Sequence, residues 1–363
     1  MSVPYHAVVI GLGKIAYAHL RGYQAPENAG QVRVVAGADP SDDARQRFAA
    51  EAGVERTYAD YRELLERERP DVVSICTWPP LHAEMVAAAA AAGAKGILCE
   101  KPMAVDLAGC DRMLAAAEQA GAVLIIGHQR RLLPRYTRAR ELIESGAIGD
   151  LVQVTAIGGG DLLTDGTHGV DLLRFLVGDA PAEWVIGNID LRERRNVKTG
   201  PDSFGFQEWE TTRTRYGHPV ETGAVAMVHF AGGVRGTIET GICARAGYQR
   251  MQVYGTEGLI QISGDRPLAE NEPPLRARVR GEAGWLVPEL PEVNPFAREI
   301  SLLLERIRQD GPSAPHPLDG RSARAGHEIL MAIFESARRR ARIDLPLDVQ
   351  AHPLLEMAGV GRA

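Results

Sequence analysis

The stretch AVVIGLGKIA, residues 7–16, runs four apolar residues straight into a short glycine-containing turn. Ala7–Ile10 reads as a strand, and Gly11, Leu12, Gly13, Lys14, Ile15 and Ala16 read as the turn and the opening of a helix. In that context the six residues match the G-x-G-x-x-G/A pattern of a dinucleotide-binding βα turn. Gly11 permits the tight turn, Gly13 lets the backbone come close to a pyrophosphate, and Ala16 lets the helix pack against the strand. The helix start supplies unsatisfied N–H groups and a positive dipole end to the phosphates. Without a ligand the same residues are a glycine-rich turn, and it is the flanking strand and helix that favour the binding reading.

Outward from this turn, a second apolar run, Val32–Ala38, ends in Asp39. An acidic residue roughly 20 positions beyond the glycines can accept hydrogen bonds from the adenosine ribose hydroxyls, which predicts NAD. A 2′-phosphate would meet a like charge there, so NADP is disfavoured, although Arg45 and Arg47 lie near enough in sequence to compensate. The other reading of Asp39 is a cap on the turn before Pro40.

Further strands are expected at Val72–Cys76, Gly96–Cys99 and Val123–Gly127, with helices near 15–23, 44–51, 61–67, 81–92 and 107–120. Strands alternating with helices are the signature of βαβ units around a parallel sheet, so residues 1–127 are read as a doubly wound Rossmann domain. Beyond residue 127 the pattern becomes a helix near 134–145, a strand at 151–157, a glycine-rich turn and a helix near 168–177. Strand-like segments then follow around 185–191, 208–216, 221–230, 233–244, 251–255 and 259–263. Residues 128–363 are therefore expected to form an α+β domain with an open, mostly antiparallel sheet. Residues 265–293, rich in Pro, Glu and Gly, read as an exposed excursion before helices near 297–309 and 322–342.

The bulk composition fits a small-molecule enzyme. With 363 residues, 45% hydrophobic and 24% charged, the chain can bury two ordinary cores, and neither a disordered nor a fibrous chain is expected. A net charge of −6 gives no long-range pull toward nucleic acid. The arginines at 130–140 and 338–342 are read as solvated helix faces. The four cysteines, Cys76, Cys99, Cys110 and Cys243, show neither a disulfide framework nor zinc spacing, and fit a reducing cytoplasm. No export signal opens the chain, and the longest apolar run, 85–92, falls far short of the roughly 20 residues a membrane span needs.

The third and fourth strands end in Thr77-Trp78-Pro79-Pro80-Leu81-His82 and Cys99-Glu100-Lys101-Pro102. Ligands of open α/β sheets bind at the carboxyl ends of strands, so Lys101 and His82 stand where chemistry is expected. Read singly, Lys101 could be a surface lysine and His82 a helix cap. Trp78 and Trp209 are read as pocket wall or core.

With these segments, Gly127-His128-Gln129-Arg130-Arg131, Gly158-Gly159-Gly160, Asp165-Gly166-Thr167-His168, Asp171 and Gly255-Thr256-Glu257-Gly258 in order, the chain resembles the Gfo/Idh/MocA oxidoreductases, the family of glucose–fructose oxidoreductase and inositol dehydrogenase. The resemblance implies a nicotinamide cofactor, an active site between a Rossmann domain and a C-terminal sheet domain, and assembly as a homodimer or homotetramer through that sheet. It maps the family lysine onto Lys101 and the family histidine onto His168. The family pattern commonly places an aspartate four residues before that histidine; here the position is Thr164, and the acid stands at Asp165.

Alcohol oxidation requires a base for the hydroxyl proton as hydride departs. Histidine titrates in the useful range, and a lysine cation stabilises a developing alkoxide. His168 is thus assigned as base, Lys101 as oxygen-polarising donor, and Asp165 or Asp161 as orienter or substrate ligand. Thr164 and Arg130 are further substrate contacts. Cofactor contacts are expected from Gly11, Leu12, Gly13, Lys14, Ile15, Asp39, Thr77, Trp78, His82, Glu100 and Lys101. Asp161, Asp165, His168 and Asp171 could also be read as a metal cluster, but the family pattern requires none, and no metal is expected. The expected function is a dehydrogenase or reductase acting on a sugar, cyclitol or related polyol. The alternatives are an NAD-dependent glycoside hydrolase working by transient oxidation and an NAD-binding regulator without catalysis.

Overall fold

The structure is a computed structural model that describes residues 4–192, 213–241, 249–264, 272–309 and 316–357. Trp209 and Cys243 lie outside the described residues, as do parts of the strand segments expected at 208–216 and 233–244.

From the amino end, β1 (Tyr5–Ile10), α1 (Lys14–Tyr23), β2 (Val32–Ala38), α2 (Asp42–Ala52), β3 (Arg56–Tyr58) and α3 (Tyr61–Glu68) form the first half of a doubly wound sheet. The second half is β4 (Val72–Ile75), α4 (Pro79–Ala91), β5 (Gly96–Cys99), α5 (Leu107–Ala120) and β6 (Val123–Ile126). The six strands are parallel in the order β3-β2-β1-β4-β5-β6, which puts the topological switch point between β1 and β4. Short helix signals hold up locally. Ser41 caps α2 through the Ala44 N–H, and Pro79 and Pro80 open α4, where the missing N–H groups cost nothing.

Both faces of this sheet are covered, and the strands sort their side chains with period two. Val8, Ile10, Val73, Ile75, Ile97, Cys99, Leu124 and Ile126 share one core with α3, α4 and α5 residues. Ala7, Val9, Val72, Leu98, Val123 and Ile125 share the other with α1 and α2. Ser74 breaks this alternation: it is a fully buried polar residue inside an otherwise apolar strand.

Next come α6 (Pro134–Glu144), β7 (Leu151–Gly158), α7 (Gly166–Leu176), β8 (Ala182–Asp190), β9 (Thr214–Arg215), β10 (His218–Pro219), β11 (Gly223–Phe230), β12 (Arg235–Glu239), β13 (Gln249–Gly255), β14 (Leu259–Ser263) and β15 (Leu275–Arg278). The chain closes with α8 (Pro295–Gln309), α9 (Gly320–Arg339) and β16 (Ile343–Asp344). An eight-stranded sheet runs β15-β14-β13-β7-β12-β11-β8-β16, antiparallel throughout except for the parallel β12–β7 pair, and β9 pairs with β10 as a separate hairpin. One face of the large sheet packs its Val154, Ala226, Val228, Ile238, Met251 and Val253 side chains with α7 and α9 residues. Ile186 and Val225 point the other way and are about half exposed.

The described chain divides into two compact units. The first holds residues 1–104, 108–132 and 293–324, and the second holds 105–107, 133–292 and 325–363. A single cut after residue 127 does not reproduce this division. Ile300, Leu303 and Leu304 of α8 complete the core under α1, and the Leu318 carbonyl accepts the Ile126 N–H at the edge of β6. The amphipathic pattern of α8 predicts a helix but not the unit in which its apolar face is buried. The excursion expected over 265–293 contains β15, whose Leu275 and Ala277 are fully buried beside β14. None of the described helices is long and apolar enough to cross a membrane.

Candidate active site

In the first unit the register of the parallel sheet sets the site. Ile10, Ile75 and Cys99 lie side by side on β1, β4 and β5. The next residues are therefore delivered in one row: Asp39 after β2, Gly11 after β1, Thr77 after β4, Glu100 and Lys101 after β5, and His128 after β6. Backbone bonds continue the ladder into this row, with Cys76 N–H donating to Ile10 at 2.7 Å and Glu100 N–H to Ile75 at 2.9 Å.

The fingerprint turn fits a dinucleotide. Gly11 has φ +84°, and a Cβ there would lie 2.8 Å from the Cys76 carbonyl oxygen, so only glycine suits the position. At Gly13 a Cβ would meet nothing within 4 Å, which leaves an open cradle at the start of α1. Gly13 is also the N-cap of that helix, with no side chain capping it, while Gly13 and Lys14 are exposed and Ile15 is half-buried. Asp39 caps the turn before Pro40, as one of its two expected readings has it. One carboxylate oxygen accepts the Leu12 N–H and the other the Ser41 N–H, at 2.9 and 2.8 Å, which still leaves acceptor capacity for ribose hydroxyls. Arg45 is held by the Asp39 and Pro40 carbonyls and by Asp42.

The residues expected around Lys101 divide by exposure. Trp78 is 51% exposed at the start of α4, Thr77 and Lys101 are half-buried, and His82 is fully buried. Both His82 ring nitrogens face backbone carbonyls, Nδ1 those of Pro102 and Met103 and Nε2 that of Thr77. Burial lowers the His82 pKa and the carbonyl contacts offset it only partly; the ring stands between the backbone after β4 and the backbone after β5. Arg131 is buried and donates to the Pro317 carbonyl, while Arg130 is half-buried.

Behind Lys101 lies a polar cluster that motif reading missed. Glu100 Oε1 meets His19 Nε2 at 3.0 Å, and Glu100 Oε2 accepts the Lys101 N–H at 3.1 Å. His19 Nδ1 lies 3.2 Å from Ser74 Oγ, which is 2.8 Å from the Tyr23 hydroxyl. Burial pushes the Glu100 carboxyl up, but the His19 hydrogen bond and charge, with Lys101, outweigh it and hold the carboxyl below its usual range. Glu299 on α8 is fully buried, and neither of its carboxyl oxygens has a hydrogen-bond partner among the described residues. Burial, reinforced by the negative Glu100, pushes the Glu299 carboxyl well up.

In the second unit β7 ends in a turn built on Asp161. Thr164 N–H donates to Asp161 Oδ1 at 2.7 Å, and the Asp165 and Gly166 N–H groups donate to the Asp161 carbonyl. Gly160, φ +82°, has no room for a Cβ because Asp165 Oδ2 would lie 1.8 Å away. Asp165 is the N-cap of α7, and His168 follows in the first turn, buried to 6% exposure.

A hairpin secures this turn. Tyr216 and Gly217 both have positive φ, as a two-residue type I′ turn requires, so β9 and β10 project Arg215 and His218 as neighbours. Arg215 Nη1 donates to Asp161 Oδ2 at 2.7 Å and to Asp165 Oδ2 at 2.6 Å. Thr164 Oγ1 lies 3.2 Å from His218 Nε2, and Glu221 accepts the Leu162 N–H at 2.7 Å. Burial pushes the Asp161 carboxyl up, but the charges of Arg215 and His218 and the Thr164 N–H outweigh it and hold the group low. Asp161 is fully buried, and the side chain of Asp165 is 37% exposed. Among the described residues no group of three or more His, Cys, Asp or Glu is arranged to hold a metal ion.

A parallel sheet in this strand order, with an open glycine cradle and an acidic acceptor at its switch point, defines a dinucleotide-binding protein. Residues 5–128 match the model of an oxidoreductase family with an NAD-binding Rossmann fold, and residues 153–261 match that of the GFO/IDH/MocA C-terminal domain. The chain belongs to the Gfo/Idh/MocA oxidoreductase family. It is 29% identical to the myo-inositol 2-dehydrogenase of Thermotoga maritima over 69% of this chain and 73% of that one. It is 28% identical to the levoglucosan dehydrogenase of Pseudarthrobacter phenanthrenivorans over 93% and 97%. The crystal structure of an NAD binding oxidoreductase from Klebsiella pneumoniae, 24% identical, shares the fold with a TM-score of 0.78 over 95% of this chain and all of that one.

Two predictions follow from the buried charges. Arg215→Met strands Asp161 in the interior and is expected to cost about 3–5 kcal/mol in urea unfolding. Asp165→Asn, at a partly exposed partner, should cost less; small and equal losses would show that the guanidinium is dispensable. For Glu299 the folded pKa is raised, so its contribution is complete below the unfolded value of about 4.3 and is lost as pH climbs from there toward the folded pKa. Glu299→Gln removes that loss. The Tm of the variant minus that of the wild type should become more positive between pH 5 and pH 8, and a difference independent of pH would refute a protonated Glu299.

Proposed function

We propose that this chain is an NAD(H)-dependent dehydrogenase or reductase that transfers hydride between the nicotinamide and a secondary alcohol of a sugar, cyclitol or related polyol. The observation that carries the reading is the row at the carboxyl edge of the parallel sheet, where the fingerprint turn, Asp39 and Lys101 stand on neighbouring strand ends. The relatives named as inositol and levoglucosan dehydrogenases support the substrate class.

Gly11, Leu12, Gly13, Lys14 and Ile15 would hold the pyrophosphate, Asp39 the adenosine ribose, and Thr77, Trp78 and Lys101 the nicotinamide end. When bound, the nicotinamide supplies the hydride acceptor or donor. The Lys101 ammonium donates to the alcohol oxygen and stabilises its developing negative charge. His168 takes the hydroxyl proton during oxidation and returns it during reduction. Asp161 and Asp165, paired with Arg215, hold the turn that leads into the His168 helix, while Thr164 and Arg130 are assigned to substrate hydroxyls.

NAD is preferred over NADP in this reading because Asp39 offers a carboxylate to the ribose and Arg45 is occupied by carbonyls and Asp42. Buried Cys76, Cys99 and Cys110 support a reducing, cytoplasmic setting. Exposed apolar Ile186 and Val225 on the large sheet support assembly as a homodimer or homotetramer.

The test is an NAD⁺ reduction screen over cyclitols, aldoses, anhydrosugars and glycosides. Net NADH formation with a free polyol is expected. Cleavage of a glycoside without net reduction would instead establish a hydrolase, and tight NADH binding with no turnover would establish a regulator. Lys101→Met and His168→Ala, still folded and NAD-binding, are each expected to lose about 100- to 10,000-fold in turnover. Wild-type turnover in either removes that residue from the mechanism. Asp39→Ala should narrow the preference for NAD⁺ over NADP⁺ by about tenfold, the equivalent of ~1.4 kcal/mol; an unchanged ratio of kcat/KM values for the two cofactors would exclude Asp39 as the discriminator.

A further inference from the structure

We propose that His19 on α1 is a positioning residue for Lys101, acting through the Glu100 carboxylate that it grips from inside the sheet layer. The proposal rests on the reading of Lys101 as the oxygen-polarising donor.

The geometry is a relay of fixed groups. His19 is fully buried and Glu100 is 4% exposed, so neither takes its hydrogen bonds from bulk water. One oxygen of Glu100 is spent on His19 Nε2 and the other on the backbone N–H of Lys101. The backbone from which the Lys101 side chain departs is thus tied to a carboxylate, and the carboxylate is tied to a helix of the fold core. Ser74 and Tyr23 complete the far side: the Ser74 hydroxyl can donate or accept, so it satisfies His19 Nδ1 in either protonation state.

His19, together with the charge and backbone N–H of Lys101, offsets the burial of the Glu100 carboxylate. Tyr23 shares α1, Cys76 follows β4, Cys99 ends β5 and Glu299 faces inward from α8, and none of these brings a positive charge. The ring of Phe296 lies against His19 with centroids 5.7 Å apart, closing the cluster on the α8 side.

Packing alone does not account for the cluster. Replacing a buried polar cluster with well-packed apolar side chains is commonly neutral or stabilising, so stability alone is a weak reason for His19, Ser74, Tyr23 and Glu100 to share one layer. Catalysis does gain. A donor placed about 1 Å wrong can lose on the order of 100-fold in rate, and the Glu100 carboxylate fixes the backbone from which the Lys101 side chain departs.

The experiment compares His19→Leu, His19→Gln, Glu100→Leu and Lys101→Met in the full-length chain. Hydrogen exchange at the Lys101 amide is measured on each folded protein without substrate, together with Kd for NADH by fluorescence, and kcat and KM with a polyol that the wild type oxidises. His19→Leu is expected to speed Lys101 amide exchange by about tenfold or more. It should lower kcat on the order of 10- to 100-fold with KM and the NADH Kd little changed. His19→Gln, whose amide N–H can still reach Glu100, should recover most of both effects. A merely structural histidine would lower Tm while leaving kcat and the Lys101 amide alone in the folded protein.

If His19→Leu does not fold, Glu100→Leu decides the matter. It removes both contacts of the carboxylate, and a wild-type kcat with unchanged Lys101 amide exchange in that folded variant would overturn the proposal. Loss of turnover in Lys101→Met with full turnover in folded His19→Leu also overturns it while leaving the assignment of Lys101 intact. Full turnover in Lys101→Met overturns both.

Discussion

Parallel pairing sends the carboxyl ends of neighbouring strands to the same edge of a sheet, and the groups to which we assign cofactor chemistry in the first unit depend on that constraint. Helices cover both faces, so the strands must be apolar on both sides and polar chemistry is pushed to the edge. The register between β1, β4 and β5 then determines which residues become neighbours there: Gly11 beside Cys76 and Thr77, and these beside Glu100 and Lys101. A shift of one residue in any of these strands would exchange its two faces and carry its terminal residue out of the row. The function of the edge and the packing of the core are thus set by the same backbone bonds.

Asp39 illustrates how a structural role leaves room for the ligand-binding role we propose for the same side chain. A carboxylate has about four acceptor positions, and two are used here to hold the Leu12 and Ser41 N–H groups. Those bonds fix the fingerprint turn and the start of α2 before any nucleotide arrives. In the proposed role the remaining acceptor positions would meet the ribose with the carboxylate already fixed, so little ordering would be left for binding to bring about. Capping the turn and binding ribose were competing readings of the sequence, but physically they require the same thing of Asp39.

What could be read in the sequence was what is local. The periodic runs and their flanking glycines and prolines place every long element within a few residues, because propensity, capping and alternation all act over one or two turns. β15 was hidden by the Pro, Glu and Gly around it, since a four-residue edge strand carries too little pattern to outweigh its flanks. The return of α8 to the first unit was hidden for a different reason: an amphipathic helix shows that it has a partner but not which one. The site was legible as motifs and illegible as contacts. His19 and Glu100 are 81 residues apart, and Arg215 reaches Asp161 and Asp165 across 54 and 50. Buried charges such as Glu299 and Arg215 look, in composition, like the solvated charges that make up most of any surface.

The displaced acid before His168 gains a physical explanation from the Arg215 hairpin. The family pattern has an aspartate where this chain has Thr164, and Asp161 and Asp165 are the nearest carboxylates in sequence. Both are committed to one guanidinium, and Asp161 is fully enclosed, so moving either toward an imidazole would leave that buried cation with one of its two carboxylates. The position of the missing aspartate is filled instead by a hydroxyl set against the His218 ring, which can exchange a hydrogen bond but contributes no negative charge. The turn therefore keeps its acids as a clamp on its own backbone, with Gly160 making room for the Asp165 carboxylate. The two acids give α7 a rigid approach, and that approach fixes where its first turn, with His168, stands.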